Sequence, residues 1–377
     1  MAYSPRLRQA VGGVRRSLES AGIALQDERF SRHGEHRPDR DAPLVMVACS
    51  GGRDSMALAA AAHTVCASLG VRCGAVLIDH RLQEGSRRVS EEAAERCRAI
   101  GLDPVVVRGV TVVARGQGVE AAARQARYAA LAEVAHTTSA AAVLLAHTRN
   151  DQAETILMGL LRSSGIDALA GMPARFERDG VTFLRPLLDM TREQTTGLCR
   201  DLGLSWWDDP TNAEHIDPSN ELPSRYPLRT RIRHDLVPYL ERFTGADIVG
   251  HLTSSPQAGL DKAYLDERAD ELVRRGIAIT GARSGAVSDE GEAVSRGARA
   301  VIDVDVLGRA HQAIRLRAIA HALHDLGVQG SSAQVVDIDR LIADWHGQGP
   351  VSLPSGYSAS RQKHVIRVCQ DGGHADC

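Results

Sequence analysis

The chain has 377 residues, 43% apolar and 24% charged, and a formal net charge of −2. That is enough chain for a sizeable core and two domains of a globular protein, with no bulk positive charge that would by itself announce a nucleic-acid partner. No stretch is long and apolar enough to cross a membrane, and Met1 to Gln9 is polar with no apolar core behind it, so a cytoplasmic protein without signal peptide is expected. Seven cysteines at 49, 66, 73, 97, 199, 369 and 377 form no Cys-x-x-Cys, which argues against a zinc or iron–sulfur site; most read as reduced, small apolar residues.

Arg6 to Leu18 has the spacing of an amphipathic helix, and the polar tract from Asp27 to Asp41 reads as a connector. From 44 to about 205, short apolar runs alternate with helical ones. Strands are expected at Leu44–Ala48, Gly74–Ile78, Val105–Arg108, Ala142–Ala146 and Val181–Leu184. Helices are expected at Ser55–Ser68, Val89–Ile100, Val119–His136, Asp151–Arg162 and Arg192–Leu202. This alternation predicts an α/β fold with a parallel sheet and right-handed crossovers. Asp208 to Pro227 is rich in Pro, Asp and Asn. Beyond it, 228–280 looks helical, 282–298 is a Gly/Ser/Ala-rich exposed tract, 311–346 holds two more helices, and Val351 to Val368 suggests a hairpin.

The run Val45-Met46-Val47-Ala48-Cys49-Ser50-Gly51-Gly52-Arg53-Asp54-Ser55 carries the most chemistry. A strand ends in a glycine turn at the start of a helix, where backbone N–H groups and the positive end of the helix dipole can hold an anion. Gly51 and Gly52 let phosphate oxygens approach the backbone. Ser50 and Ser55 offer hydroxyls, and Asp54 can hold Mg²⁺ against the same phosphates. No lysine follows, so this is not a Walker loop. In the second such run, His147-Thr148-Arg149-Asn150-Asp151-Gln152-Ala153-Glu154-Thr155, Asp151 and Glu154 share one side of a first helical turn. They are placed to hold Mg²⁺ or an ammonium group; a helix-capping box satisfies the same spacing.

The first run resembles the pyrophosphate-gripping loop of the N-type ATP pyrophosphatases (PP-loop enzymes), which cleave ATP between the α- and β-phosphates and adenylate an acceptor oxygen. Further segments resemble tRNA(Ile)-lysidine synthetases. These are Ile78-Asp79-His80-Arg81-Leu82, the His147 run with Arg162-Ser163-Ser164-Gly165, Arg185-Pro186-Leu187-Leu188, Trp207-Asp208-Asp209-Pro210-Thr211-Asn212, Arg229-Thr230-Arg231-Ile232-Arg233, and Val351-Ser352-Leu353-Pro354. The resemblance spans about 44–368 and implies the short form of the family, without an extra C-terminal domain. It implies a Rossmann-like PP-loop domain (44–210) after an N-terminal helix and connector (1–43), then a linker (211–227), a smaller, mainly helical tRNA-binding domain (228–369) and a tail (370–377).

It further implies that the wobble cytidine of a CAU-anticodon tRNA(Ile) attacks ATP through O2, and that free L-lysine then displaces AMP from C2. ATP and Mg²⁺ are the implied cofactors, tRNA(Ile) and lysine the partners, and a homodimer is a candidate assembly. Carried over residue by residue, ATP would meet Ser50, Gly51, Gly52, Arg53, Asp54, Ser55 and Asp79. The metal would meet Asp54 and Glu154, and catalysis would use Asp151, Glu154 and His147. Arg124 and Arg127, in an Arg-x-x-Arg-Tyr pattern, and Arg229, Arg231 and Arg233 would meet tRNA. Asn150, Ser163 and Thr230 depart from the family pattern. Two rival readings stay open, a tRNA thiolase using Cys49 and a homologue that binds ATP or tRNA without catalysis.

Overall fold

The computed structural model describes residues 4–32, 37–81, 85–112, 119–162, 165–209, 216–217, 220–280 and 299–370. Leu82, Ser163, Ser164, Pro210, Thr211, Asn212 with the linker to 215, residues 218 and 219, the 282–298 tract and nearly all of the tail lie outside the described residues. The chain divides into two compact units, Met1–Pro256 and Gln257–Cys377.

In the first unit, α1 (Pro5–Ser20) precedes β1 (Leu44–Ala48), α2 (Arg53–Leu69), β2 (Arg72–Asp79), α3 (Ser86–Ile100), β3 (Val105–Gly109), α4 (Val119–Thr137) and β4 (Ala140–Leu145). There follow α5 (Arg149–Arg162), α6 (Ile166–Leu169), β5 (Arg175–Arg178), β6 (Val181–Leu184), α7 (Arg192–Asp201), α8 (Leu228–Arg231), a π-helical turn (Ile232–Leu236), α9 (Val237–Thr244) and α10 (Ile248–Thr253). The sheet order is β3-β2-β1-β4-β6-β5, parallel except for β5, which pairs antiparallel with β6. β1 is buried along its whole length because helices cover both faces, which is why its sequence is a continuous apolar run instead of an alternating one. One core lies between the sheet and α1, α2 and α3, and another between the sheet and α4.

The strand order reverses at β1, whose neighbours are β2 and β4. Crossovers therefore leave the carboxyl ends of β1 and β4 on opposite sides of an open crevice, the place where such sheets take ligands. Both sequence runs singled out above start there.

A second domain is expected from 228 onward. In the structure the contact boundary falls at Pro256. The physical reason is that Leu228, Ile232, Leu236, Val237, Leu240, Val249 and Leu252 pack with Ala153, Leu157 and Met158 of α5. The second unit holds α11 (Gln257–Gly276), β7 (Ile277–Thr280), β8 (Arg299–Asp303), α12 (Val304–Gly308), α13 (Gln312–Asp325), α14 (Ser332–Ala343), β9 (Val351–Leu353), β10 (Tyr357–Gln362) and β11 (Val365–Gln370). The expected terminal hairpin is β10 with β11, and it sits inside a five-stranded antiparallel sheet ordered β7-β8-β11-β10-β9. No described helix is long and apolar enough to cross a membrane.

Candidate active site

Past β1 the chain turns through Ser50-Gly51-Gly52 into α2. Gly51 has φ +81°, and a Cβ there would stand 2.7 Å from the Ala93 Cβ of α3, so the turn and the approach of α3 both require glycine. Gly52 is the N-cap, and no side chain caps this end of α2. Ser55 turns inward. Its hydroxyl donates to the Gly52 carbonyl at 2.8 Å and accepts the Ser50 N–H at 3.2 Å, so it builds the loop. The segment after α7 is clasped to the same loop. The Trp207 N–H donates to the Gly51 carbonyl at 2.9 Å, and Asp208 accepts from the Arg53 guanidinium at 2.7 Å and the Trp206 indole at 2.9 Å.

Past β4, Thr148 and Asp151 form the capping pair of α5. Asp151 Oδ2 accepts from the Thr148 N–H at 2.8 Å and its hydroxyl at 2.9 Å. The other oxygen, Oδ1, faces Arg192 Nη2 at 3.2 Å. One carboxylate thus serves both readings that the spacing left open, helix cap on one oxygen and cavity wall on the other. Glu154 lies one turn on, 2% exposed, and is caged. Arg229 Nε donates to its Oε2 at 2.9 Å, Arg233 Nε to its Oε1 at 2.7 Å, and Arg192 approaches at 3.4 Å. Arg192 is brought there by Asn150, whose side-chain oxygen accepts the Arg192 N–H at 2.9 Å and ties the start of α7 to α5. Asp54 accepts a hydrogen bond from the Thr195 hydroxyl and lies 3.8 Å from Arg192 Nε.

These side chains line a cavity of about 300 Å³ bounded by Ser50, Gly52, Asp54, His147 and Asp151, with Arg53, Arg127, Arg192, Arg229 and Arg233 around them. Burial would raise the Asp151 carboxyl, but Arg192 and Arg229 outweigh it and bring it down to about 2. Asp54 goes the other way: burial holds it above the ordinary carboxyl range despite Arg192 and Thr195. Burial, with Arg185, Arg127 and Arg229, pushes His147 down to about 3 against the opposing pull of Asp151. Its Nδ1 accepts from Arg185 Nε at 3.1 Å, which leaves the proton of the neutral ring on Nε2.

Residues 26–240 match the PP-loop domain family and residues 302–368 the TilS substrate binding domain. A tRNA(Ile)-lysidine synthase of Bifidobacterium longum is 57% identical over the full length of both chains. The chain belongs to the tRNA(Ile)-lysidine synthase family. Another member, from Streptomyces coelicolor, is 41% identical over 88% of this chain and 89% of its own. A solved U34-tRNA thiolase from Methanococcus maripaludis shares the fold, with a TM-score of 0.50 at 14% identity over 68% of this chain and 79% of that one.

Of the residues expected from the lysidine synthase pattern, the structure brings Ser50, Gly52, Arg53, Asp54, Ser55, His147, Asp151, Arg127, Arg229 and Arg233 to one cavity. Glu154 stands just behind the wall. Gly51 shapes the loop from behind. Asp79 is not brought in: at the end of β2 its Oδ1 accepts from the Arg81 N–H at 3.0 Å and the Ser86 hydroxyl at 2.7 Å, holding the turn into α3. Arg124 is exposed and its guanidinium sits 5.4 Å from the Tyr128 ring centre, away from the cavity. Arg231 is half-buried, and its Nε has no hydrogen-bond partner. Arg229 and Arg233, expected to meet tRNA, are turned inward onto Glu154 because α8 packs on α5.

Arg192, Arg185 and Thr195 were missed as site residues. Arg192 did carry a signal: it occupies the first turn of α7, where a cation opposes the helix dipole, and such local misfits mark positions kept for another purpose.

Proposed function

We propose that this chain joins lysine to the wobble cytidine of a CAU-anticodon tRNA(Ile) in two steps. The base O2 attacks the α-phosphorus of ATP and pyrophosphate leaves; an amine of lysine then attacks C2 and AMP leaves. The observation that carries the reading is a single cavity at the strand-order reversal with two unlike walls, an anion-holding helix start on one side and an ionised carboxylate on the other.

Asp54 fits Mg²⁺: its burial disfavours the bare carboxylate, and a bound cation would favour it. Glu154 does not fit. Both its oxygens already accept from arginines, and three guanidiniums surround it, so its part is to hold Arg229, Arg233 and Arg192 in place. Asp54 would hold Mg²⁺, whose chemistry there would be to neutralise charge on the departing pyrophosphate. The start of α2 and Arg127, a half-buried cation with no acidic partner among the described residues, bind phosphate oxygens. Asp151, ionised at neutral pH, binds an ammonium group of lysine; it is too weak a base to take its proton. His147 is neutral and donates a hydrogen bond from Nε2, fixed in that tautomer by Arg185. Together these groups hold three reactants in one orientation. A thiolase reading finds no support, because no cysteine lines the described cavity and Cys49 lies 4% exposed beneath the loop.

The test is ATP-dependent incorporation of labelled lysine into unmodified CAU-anticodon tRNA(Ile), with elongator methionine tRNA as control. Incorporation into the first alone is expected. Pyrophosphate release without incorporation would retain adenylation and overturn lysine as the nucleophile.

A further inference from the structure

We propose that the outer face of α9 is a stacking platform for a base of a single-stranded segment of the RNA substrate, formed by Tyr239 and Phe243 with Arg242 beside them. The proposal rests on the reading that the substrate is RNA. α8, the π-helical turn and α9 run as one continuous helix over 228–244. Near its start, Arg229 and Arg233 reach into the cavity. Tyr239 and Phe243 lie six and ten residues past Arg233, roughly 9 and 15 Å along the axis at helical rise. The same element therefore carries both the cavity arginines and the two rings, at a separation that nucleotides flanking a base in the cavity can cover.

Tyr239 is 54% exposed and Phe243 76% exposed, yet their rings are ordered against each other, centres 6.0 Å apart and planes 16° from parallel. They do not serve the core. Leu236, Val237 and Leu240 fill the contact with α5 and α10, and the two rings, flanking that apolar stripe, are not among the residues packed there. Arg242 falls on the same outer face as the rings at i+3 from Tyr239, exposed and without an ion pair among the described residues. Flat π surfaces next to an unpaired guanidinium suit a base with its phosphate. They suit a second copy of the chain less well: the two rings expose roughly 200–300 Å² between them, on an aromatic-residue scale of about 150–250 Å² each, against about 800 Å² per partner in a stable interface.

The experiment measures the affinity of the full chain for a CAU-anticodon tRNA(Ile) transcript by fluorescence anisotropy, with sedimentation at the same protein concentrations. Tyr239→Ala/Phe243→Ala is expected to weaken binding by about 5- to 150-fold, the loss of one base stack. Tyr239→Leu/Phe243→Leu, which keeps apolar area and loses the π faces, should weaken it similarly, and Phe243→Trp should retain wild-type affinity. Both positions are exposed, so unchanged melting curves verify the fold. Wild-type affinity in the Ala pair, or in the Leu pair, overturns the platform. A shift from dimer to monomer in the Ala pair with RNA affinity unchanged overturns it in favour of a contact between copies. Failure of the unsubstituted chain to bind the transcript refutes the RNA reading itself, a result distinct from these.

Discussion

Glu154→Gln separates an anchor for arginines from a metal ligand. The substitution preserves shape and one acceptor oxygen while removing the charge that Arg192, Arg229 and Arg233 share at 2.7 to 3.4 Å. Breaking a buried ion pair by deleting one partner costs about 3–5 kcal/mol. The three arginines are 15 to 23% exposed, and Asp151 remains to share their charge, so the lower end applies. A loss of about 3 kcal/mol corresponds to a fall in melting temperature of roughly 6–12 °C for a unit of this size. The assay is thermal unfolding in EDTA, where no divalent ion contributes. A metal ligand deep in a site gives the opposite result without metal, since removing an uncompensated carboxylate leaves stability unchanged or improved. A Glu154→Gln protein melting within about 1 °C of wild type in EDTA would refute the cage.

Asp54→Asn should lose pyrophosphate release by on the order of 10²- to 10³-fold and yet melt no lower than wild type. Its folded carboxyl is raised by burial, so its ionised form opposes folding above the unfolded pKa; a clear loss of stability in that variant would contradict the assignment. His147, at about 3 in the fold, is neutral from pH 5 to 8, and the rate profile for pyrophosphate release should show no limb near its ordinary value; a limb there that His147→Gln removes would be fatal to this reading. Because the folded His147 resists protonation, stability should decline as pH falls below 6.5, by about 2 kcal/mol at pH 5, and His147→Gln should flatten that decline in a melting series. Gly51→Ala adds a Cβ at φ +81° and 2.7 Å from Ala93, and should cost about 2–4 kcal/mol and silence the loop. Gly52→Ala, at φ −76° with its nearest contact at 3.5 Å, should fold normally, and equal melting of the two variants would discredit the packing account.

The parallel sheet was legible because its strands advertise themselves locally: Leu44–Ala48 and Val181–Leu184 are apolar runs bounded by polar turns, and they fold with those bounds. The anion loop was legible for the same reason, since glycine turn, serines and helix start are contiguous. The arginine cage was not. The i, i+4 spacing of Arg229 and Arg233 fixes their common face and says nothing about what that face meets; Glu154 lies 75 residues earlier than Arg229. Arg185 on His147 and Arg192 on Asp151 are likewise long-range, set by the sheet order and not by neighbours in sequence. A carboxylate at a strand end can either face a ligand or cap the next turn, a choice the sequence leaves open; the Asp79 Oδ1 accepts from Ser86 and the Arg81 N–H. Asn150 departs from the family pattern, and its contact with the Arg192 N–H uses only an acceptor oxygen, which an amide supplies as well as a carboxylate would.

The clasp between the loop and the 206–208 segment has a spectroscopic consequence. The chain contains three tryptophans, and two of them, Trp206 and Trp207, belong to that clasp. With excitation selective for tryptophan, replacing Trp345 with phenylalanine leaves emission from the clasp alone, where Trp207 lines the cavity and Trp206 stands beside it. Changes at the loop then become visible by the protein's own light, without a label, and on the proposed function the binding of ATP and the release of pyrophosphate should be timed as separate events.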